Sequence, residues 1–137
     1  MSEFGDKLGL LKPGQVWTMR NAPNPAARVI VGRVEPFKGR KIAHVTVRDL
    51  DPPGGVDGFG EEAELTISHI PIALESAAES LSTLITPMGE ISEDFEEAYR
   101  DWKKLADQNQ AGIFVESIAE AVLDIFAIMR GSAPEKS

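Results

Sequence analysis

The sequence predicts an α+β domain in which a strongly bent antiparallel sheet of four or five strands packs with three amphipathic helices. Two changes near the middle of the chain support this prediction. Apolar residues recur at every second position over residues 15–70 and at every third or fourth position over residues 72–130, the periods of half-buried strands and of amphipathic helices. The charge changes as well: residues 1–60 carry nine Lys and Arg against six Asp and Glu, whereas residues 61–137 carry five against sixteen.

Length and composition indicate one domain. The chain has 137 residues, of which 42% are hydrophobic and 26% are charged, and this is enough for a single core with the balance of an ordinary globular protein. We assign residues 1–131 to the domain, β-rich over 13–70 and helical over 71–131, and expect a disordered tail over 132–137. The absence of cysteine excludes disulfides, thiolate zinc sites and cysteine nucleophiles.

We expect no signal for export or for a membrane in this sequence. Its first residues are acidic where a signal peptide is basic and then apolar, and three acids interrupt the most apolar run, residues 113–129. We therefore expect a cytoplasmic protein. The net charge of −8 disfavours general binding to nucleic acid, because contacts to phosphate dominate such binding.

Four segments are predicted as strands. Residues 15–20 alternate between apolar and polar, residues 29–35 and 42–48 are β-branched runs joined by a hairpin-length connection, and residues 62–70 form the fourth strand. The segments between them are rich in Gly, Pro, Asn and Asp, which is typical of exposed loops.

The register of the last two strands is predicted from matching side chains. Alignment of the apolar faces sets Val45 opposite Ile67, and the same register sets Arg48 opposite Glu64, a favourable cross-strand pair of charges. Gly32, inside the second strand, predicts a bend of the kind found in small barrels.

Three helices are predicted in the second half. The first begins at Pro71, a residue suited to the first helical position, and follows one apolar stripe to residue 85. The second follows the N-cap Ser92, and the third begins at the capping box formed by Ser117 and Glu120. The β-branched residues 113–115 are the candidate fifth strand.

The opening strands carry a family resemblance. Gly14-Gln-Val-Trp followed by Ala27-Arg-Val-Ile-Val-Gly resembles the first strands of small SH3-like barrels, including growth-inhibitor toxins of the MazF/PemK kind. The resemblance implies a partly open SH3-like barrel. The chain lacks the Arg-Pro-Val-Leu-Val pattern of those toxins, so their ribonuclease activity is not implied. The whole layout, including residues 111–121, is similar to small uncharacterised bacterial proteins, which favours an accessory or interaction role.

The predicted register also gives a candidate binding site. Arg33, His44 and Ser68 form a row on one face of the sheet, with Arg48 and Glu64 one row along. Such a row could bind an anion or a carboxylate of a partner. The alternative is a solvated strip of polar sheet surface.

The two histidines of the chain are predicted to point to opposite faces of the sheet. In the predicted register His69 shares a face with apolar residues and His44 shares one with polar residues, so the two cannot bind one metal ion. We predict no metal, no cofactor and no set of catalytic residues.

These observations favour a non-enzymatic protein-interaction or accessory module of the bacterial cytoplasm, in which an acidic helical half and a mildly basic sheet edge offer surfaces to a partner protein. The alternative is a small hydrolase or nuclease-like enzyme that uses the row of Arg33, His44 and Ser68. The third hypothesis is a weak nucleic-acid-binding module.

A homodimer is expected through the helical face. Phe95, Tyr99 and Trp102 share one stripe of the second helix and exceed what a small core obviously needs. The alternative is that these aromatic side chains seal the helix onto the sheet.

Overall fold

A computed structural model of the chain describes residues 11–50 and 65–129, and within them it confirms the predicted α+β class. The strands are β1 (Val16–Met19), β2 (Arg28–Phe37), β3 (Arg40–Leu50), β4 (Leu65–Ala73) and β5 (Leu81–Thr86). The helices are α1 (Leu74–Ser80), α2 (Glu93–Asp107) and α3 (Ile118–Met129). No helix in the described part of the chain is long and apolar enough to cross a membrane. The predicted tail over 132–137 lies outside the described residues.

The five strands form one antiparallel sheet in the order β4-β3-β2-β1-β5. A two-residue turn of Lys38 and Gly39 joins β2 to β3, and both residues have the positive φ, 52° and 82°, that such tight hairpin turns require. The sheet is not closed, with β4 and β5 as its edges, so the SH3-like barrel stays a prediction.

The second half of the chain contributes a strand that the sequence did not predict. The first predicted helix is wrong at both ends, because Pro71 lies in β4 and α1 stops at Ser80, after which the chain continues as β5. The apolar spacing predicted a helix over these residues. Half of the residues in β5 are β-branched, which favours a strand, and the backbone of β5 forms its hydrogen bonds with β1. The candidate strand at 113–115 makes one isolated parallel bridge, between Phe114 and Ile72.

The inner face of the sheet packs against α1 and α3 and forms the main core. Its largest contributions are aliphatic side chains that alternate along the central strands and repeat along the two helices. Among them are Val29, Val31, Val45, Val47, Ile70 and Ile72 from the sheet and Ala77, Ala78, Ile118 and Val122 from the helices. The opposite face, which we call the outer face, carries α2 and the candidate site.

The predicted register of β3 and β4 is wrong. Val45 pairs with Ile70 instead of Ile67, and Ile67 pairs with Val47. The predicted pair of Arg48 with Glu64 is not described, because Glu64 lies outside the described residues. The register is displaced by two residues at Val47, which pairs with Ile67 instead of Leu65, and an extra residue in β4 raises the displacement to three at Val45.

A β-bulge in β4 turns His69 to the outer face. Two residues of β4, Ser68 and His69, lie opposite Thr46 alone, and the Thr46 hydroxyl donates a hydrogen bond of 2.8 Å to the carbonyl of Ser68. An extra residue reverses the alternation of side chains beyond the bulge. His69 therefore faces the same side as His44.

A second bulge, in β2, lets α2 approach the sheet. Arg33 pairs with His44 as predicted, and Val31 pairs with Val45, so Gly32 is the extra residue. A Cβ atom at Gly32 would lie 2.3 Å from the ring of Phe95 in α2. The bend predicted from this glycine is therefore a bulge on which the helix rests.

Replacement of Gly32 by Ala should destabilise the protein. The added methyl group overlaps the Phe95 ring, so α2 must move away from the sheet, and overpacking of this kind costs about 1–3 kcal/mol. Urea unfolding should show the loss in the free energy of unfolding. The control is Gly112→Ala, because a Cβ at Gly112 meets no atom within 4 Å. Equal stability of the two variants would contradict the proposed contact.

Candidate functional site

α2 covers part of the outer face with aromatic side chains. It begins as predicted, with the Ser92 hydroxyl accepting a hydrogen bond of 3.1 Å from the Phe95 N–H. Phe95, Tyr99 and Trp102 are buried together with Ile42 of β3. These rings cannot form the expected homodimer surface, and the alternative, that they seal the helix onto the sheet, is the arrangement observed.

Beneath α2, three side chains form a hydrogen-bonded chain that we call the histidine relay: Glu35, His44 and His69. Nε2 of His44 lies 2.7 Å from a carboxylate oxygen of Glu35, and Nδ1 of His44 lies 2.8 Å from Nε2 of His69. The Tyr99 hydroxyl donates to both carboxylate oxygens of Glu35, at 3.2 and 3.1 Å. The prediction that the two histidines face opposite sides is therefore wrong, because the bulge in β4 was not foreseen.

Aromatic rings enclose the relay on its helix side. The two imidazoles lie side by side, with their planes inclined by 14° and their centroids 5.0 Å apart. Tyr99 and Trp102 meet the His44 ring edge to face, at 4.9 and 4.7 Å, and Phe95 lies 5.7 Å from His69. The side chain of His44 is 0% exposed and that of Glu35 is 20% exposed, so the relay lies in a largely dry environment.

Burial keeps both imidazoles neutral at pH 7. Desolvation lowers the pKa of His44, and this outweighs the hydrogen bond to Glu35, which acts in the opposite direction. Desolvation, helped by the neighbouring His44, lowers the pKa of His69 to about 4. Burial also raises the pKa of Tyr99, so its hydroxyl keeps its proton and remains a donor to Glu35.

The rest of the outer face forms an open groove with a volume of about 470 Å³. It crosses the sheet, since all five strands contribute to it, and its apolar floor contains Val16 and Ile30. Hydroxyl side chains from three strands and from the N-cap of α2 line the groove: Thr46, Thr66, Ser68, Thr86 and Ser92.

Charged residues stand at different places along this groove. Arg48 projects from β3, Glu90 lies on the segment that leads from β5 into α2, and Asp94 lies in the first turn of α2. The guanidinium of Arg48 lies 3.5 Å from the carboxylate of Asp49, and the two side chains are 45% and 38% exposed. An ion pair this exposed is weak, so Arg48 can exchange Asp49 for the carboxylate of a ligand.

The structure separates the five predicted binding residues. Arg48 and Ser68 line the groove. His44 is buried beneath α2, and the Arg33 guanidinium lies 4.3 Å from the centre of an aromatic ring of that helix. Glu64 lies outside the described residues. The predicted row is not formed as such, because Ser68 belongs to the bulge and does not pair with His44.

Sequence reasoning missed Glu35 and His69 as members of the site. Glu35 follows Arg33 by two residues and so shares its face of β2, a signal that alternation alone could have given. His69 lies on that face only because of the bulge in β4, and no local sequence pattern predicts this bulge.

Comparisons of the chain with protein-family models, with curated proteins and with solved structures found no match. Within residues 11–50 and 65–129, no group of three or more acidic or histidine side chains is arranged to hold a metal ion.

The relay predicts a loss of stability in weak acid. The unfolded chain binds protons at its histidines near pH 6.5, whereas the folded protein does so at lower pH, about 4 for His69. Because the unfolded state binds more protons in this window, the free energy of unfolding should fall as the pH drops from about 6.5 towards 4, by at most about 1.4 kcal/mol per pH unit and per histidine. Urea unfolding at a series of pH values measures this slope.

The matched comparison is His69→Gln, which should flatten the slope because one of the two titrating groups is gone. Glu116 acts in the opposite direction. Its pKa is raised to about 7, chiefly by its hydrogen bond with Asp124, so it stabilises the folded protein as the pH falls through the same window. This contribution is the same in the wild-type protein and in the variant and cancels in the comparison. Identical slopes would show that His69 does not titrate as its burial requires.

Proposed function

We propose that this protein is a non-enzymatic interaction module whose groove holds an extended segment of a partner protein. The observation that supports the proposal is the groove itself, which crosses all five strands and carries hydroxyl and charged side chains beside an apolar floor.

The size of the groove suits a peptide. Adjacent strands lie about 4.8 Å apart, so five strands span roughly 19 Å. An extended chain covers that distance with about six residues, at about 3.3–3.6 Å per residue. The volume of about 470 Å³ is also within the usual range of ligand sites.

The lining suits the polar main chain of such a segment. Each Ser or Thr hydroxyl can donate one hydrogen bond and accept others. The Thr46 hydroxyl already donates to Ser68 and can only accept from a ligand, whereas the other hydroxyls of the row can serve both N–H and carbonyl groups. Val16 and Ile30 offer apolar contact to alternate side chains of the ligand.

The charges suggest a dipolar partner. A ligand carboxylate would meet Arg48, and a ligand Lys or Arg would meet Glu90 and Asp94. Two acids against one Arg make the groove a poor site for a phosphate backbone, which disfavours the nucleic-acid hypothesis. The hydrolase hypothesis loses support because its central residue, His44, is 0% exposed.

The test is selection of peptides of about six residues from a displayed random library on the full-length protein. We expect the selected peptides to carry an acidic residue near one end and a basic residue near the other. In NMR titrations they should shift the signals of groove residues such as Thr46, Ser68 and Thr86.

Arg48→Glu should weaken binding of these peptides by about tenfold or more, equivalent to about 1.4 kcal/mol, and exchange of the acidic peptide residue for Lys should restore it. The control is Arg100→Glu, an exposed arginine of α2 that lies outside the groove. The proposal is wrong if no selected peptide depends on Arg48, or if both variants weaken binding equally.

A further inference from the structure

We infer that the histidine relay has a fixed direction, from Glu35 through His44 to His69, and that it leaves Nδ1 of His69 as an unprotonated acceptor for the hydroxyl group of a ligand. This site does not depend on the ligand of the groove.

The direction follows from which atoms can donate. The Tyr99 hydroxyl donates to both oxygens of the Glu35 carboxylate, and an ionised carboxylate only accepts. Nε2 of His44, 2.7 Å from that carboxylate, must therefore carry its proton. In a neutral imidazole the other nitrogen is then an acceptor.

The same argument fixes His69. Since Nδ1 of His44 accepts, the proton between the two rings belongs to Nε2 of His69, at 2.8 Å. His69 is neutral as well, so its Nδ1 carries a lone pair and no proton. Within the described part of the chain, this nitrogen makes no hydrogen bond.

His69 is the more exposed of the two imidazoles. His44 is fully buried, whereas His69 is half-buried. Its neighbour in β4, Ser68, lines the groove, and Phe95, which packs against the His69 ring, follows the groove residue Asp94. The unprotonated nitrogen thus belongs to the ring next to the groove.

The relay also fixes what His69 can do. Its Nδ1 can accept a hydrogen bond from a ligand hydroxyl. Desolvation and the neighbouring His44 disfavour protonation of His69, so its ring stays neutral when it accepts that hydrogen bond.

The probe is diethyl pyrocarbonate, which acylates unprotonated imidazole nitrogens. Nδ1 attacks a carbonyl carbon, ethyl carbonate leaves and decomposes to carbon dioxide and ethanol, and the ring then loses its Nε2 proton. The chain has two histidines, and only His69 should react in the folded protein at neutral pH. Peptide mapping by mass spectrometry identifies the modified residue.

Nitrogen NMR of the free protein tests the direction without any variant. We expect a proton on Nε2 and none on Nδ1 in both rings. A proton on Nδ1 of His69 would overturn the proposal, as would acylation of His44 in preference to His69. Because this measurement uses the wild-type chain, it decides the matter even if a variant does not fold.

Glu35→Gln tests the role of the carboxylate. A Gln side chain can donate as well as accept, so the direction is no longer fixed, and protonation of Nδ1 of His69 should slow acylation by about tenfold or more. The control is Glu75→Gln, which removes an exposed carboxylate 3.3 Å from Arg40 and outside the relay. A folded Glu35→Gln protein that reacts as fast as the control would overturn the proposal. Peptide binding in the groove is unaffected by either result, so the two proposals fail separately.

Discussion

The outer face of this protein depends on the contact between Phe95 and Gly32. Any larger residue at position 32 would hold α2 away from the sheet, because a Cβ there would overlap the Phe95 ring. The close approach brings the helix onto the sheet, so that Tyr99 and Trp102 reach His44 and bury it. The helix leaves the part of the face that forms the groove uncovered. The buried relay and the open groove are thus two results of one helix position.

Local signals in the sequence predicted the elements that depend on near neighbours. The Ser92 cap, the reciprocal hydrogen bonds between Ser117 and Glu120, and the hairpin that sets Arg33 beside His44 all form as expected. Each is decided within a few residues along the chain. The boundary of α1 with β5 was not predictable in this way, because the apolar spacing continues through Ser80 and only pairing with the distant β1 makes the following residues a strand.

The candidate site was also predictable only where local alternation along a strand decides which face a side chain lies on. Arg48 and Ser68 were expected on a polar face and line the groove. The register of β3 and β4 was not predictable for two reasons. A displacement by two residues, as at Val47, keeps every side chain on its own face, so the match of apolar faces does not detect it. In addition, the hydroxyl of Thr46 donates a hydrogen bond to the carbonyl of Ser68, where β4 holds an extra residue. A match of apolar side chains assumes strict alternation and cannot detect such an insertion. His44 was singled out correctly as unusual, but as a surface residue instead of a buried one.

The order of the strands has a consequence for synthesis. β2, β3 and β4 follow one another and can pair as they leave the ribosome, whereas β1 meets β5 across long separations, such as the 65 residues between Thr18 and Thr83. Contacts this distant form late, because a long loop must first be closed. During translation the edge of β1 that pairs with β5 therefore stays exposed until Thr86 has left the ribosome. Early pairing of that edge with a neighbouring nascent chain is the misfolding route that this topology leaves open.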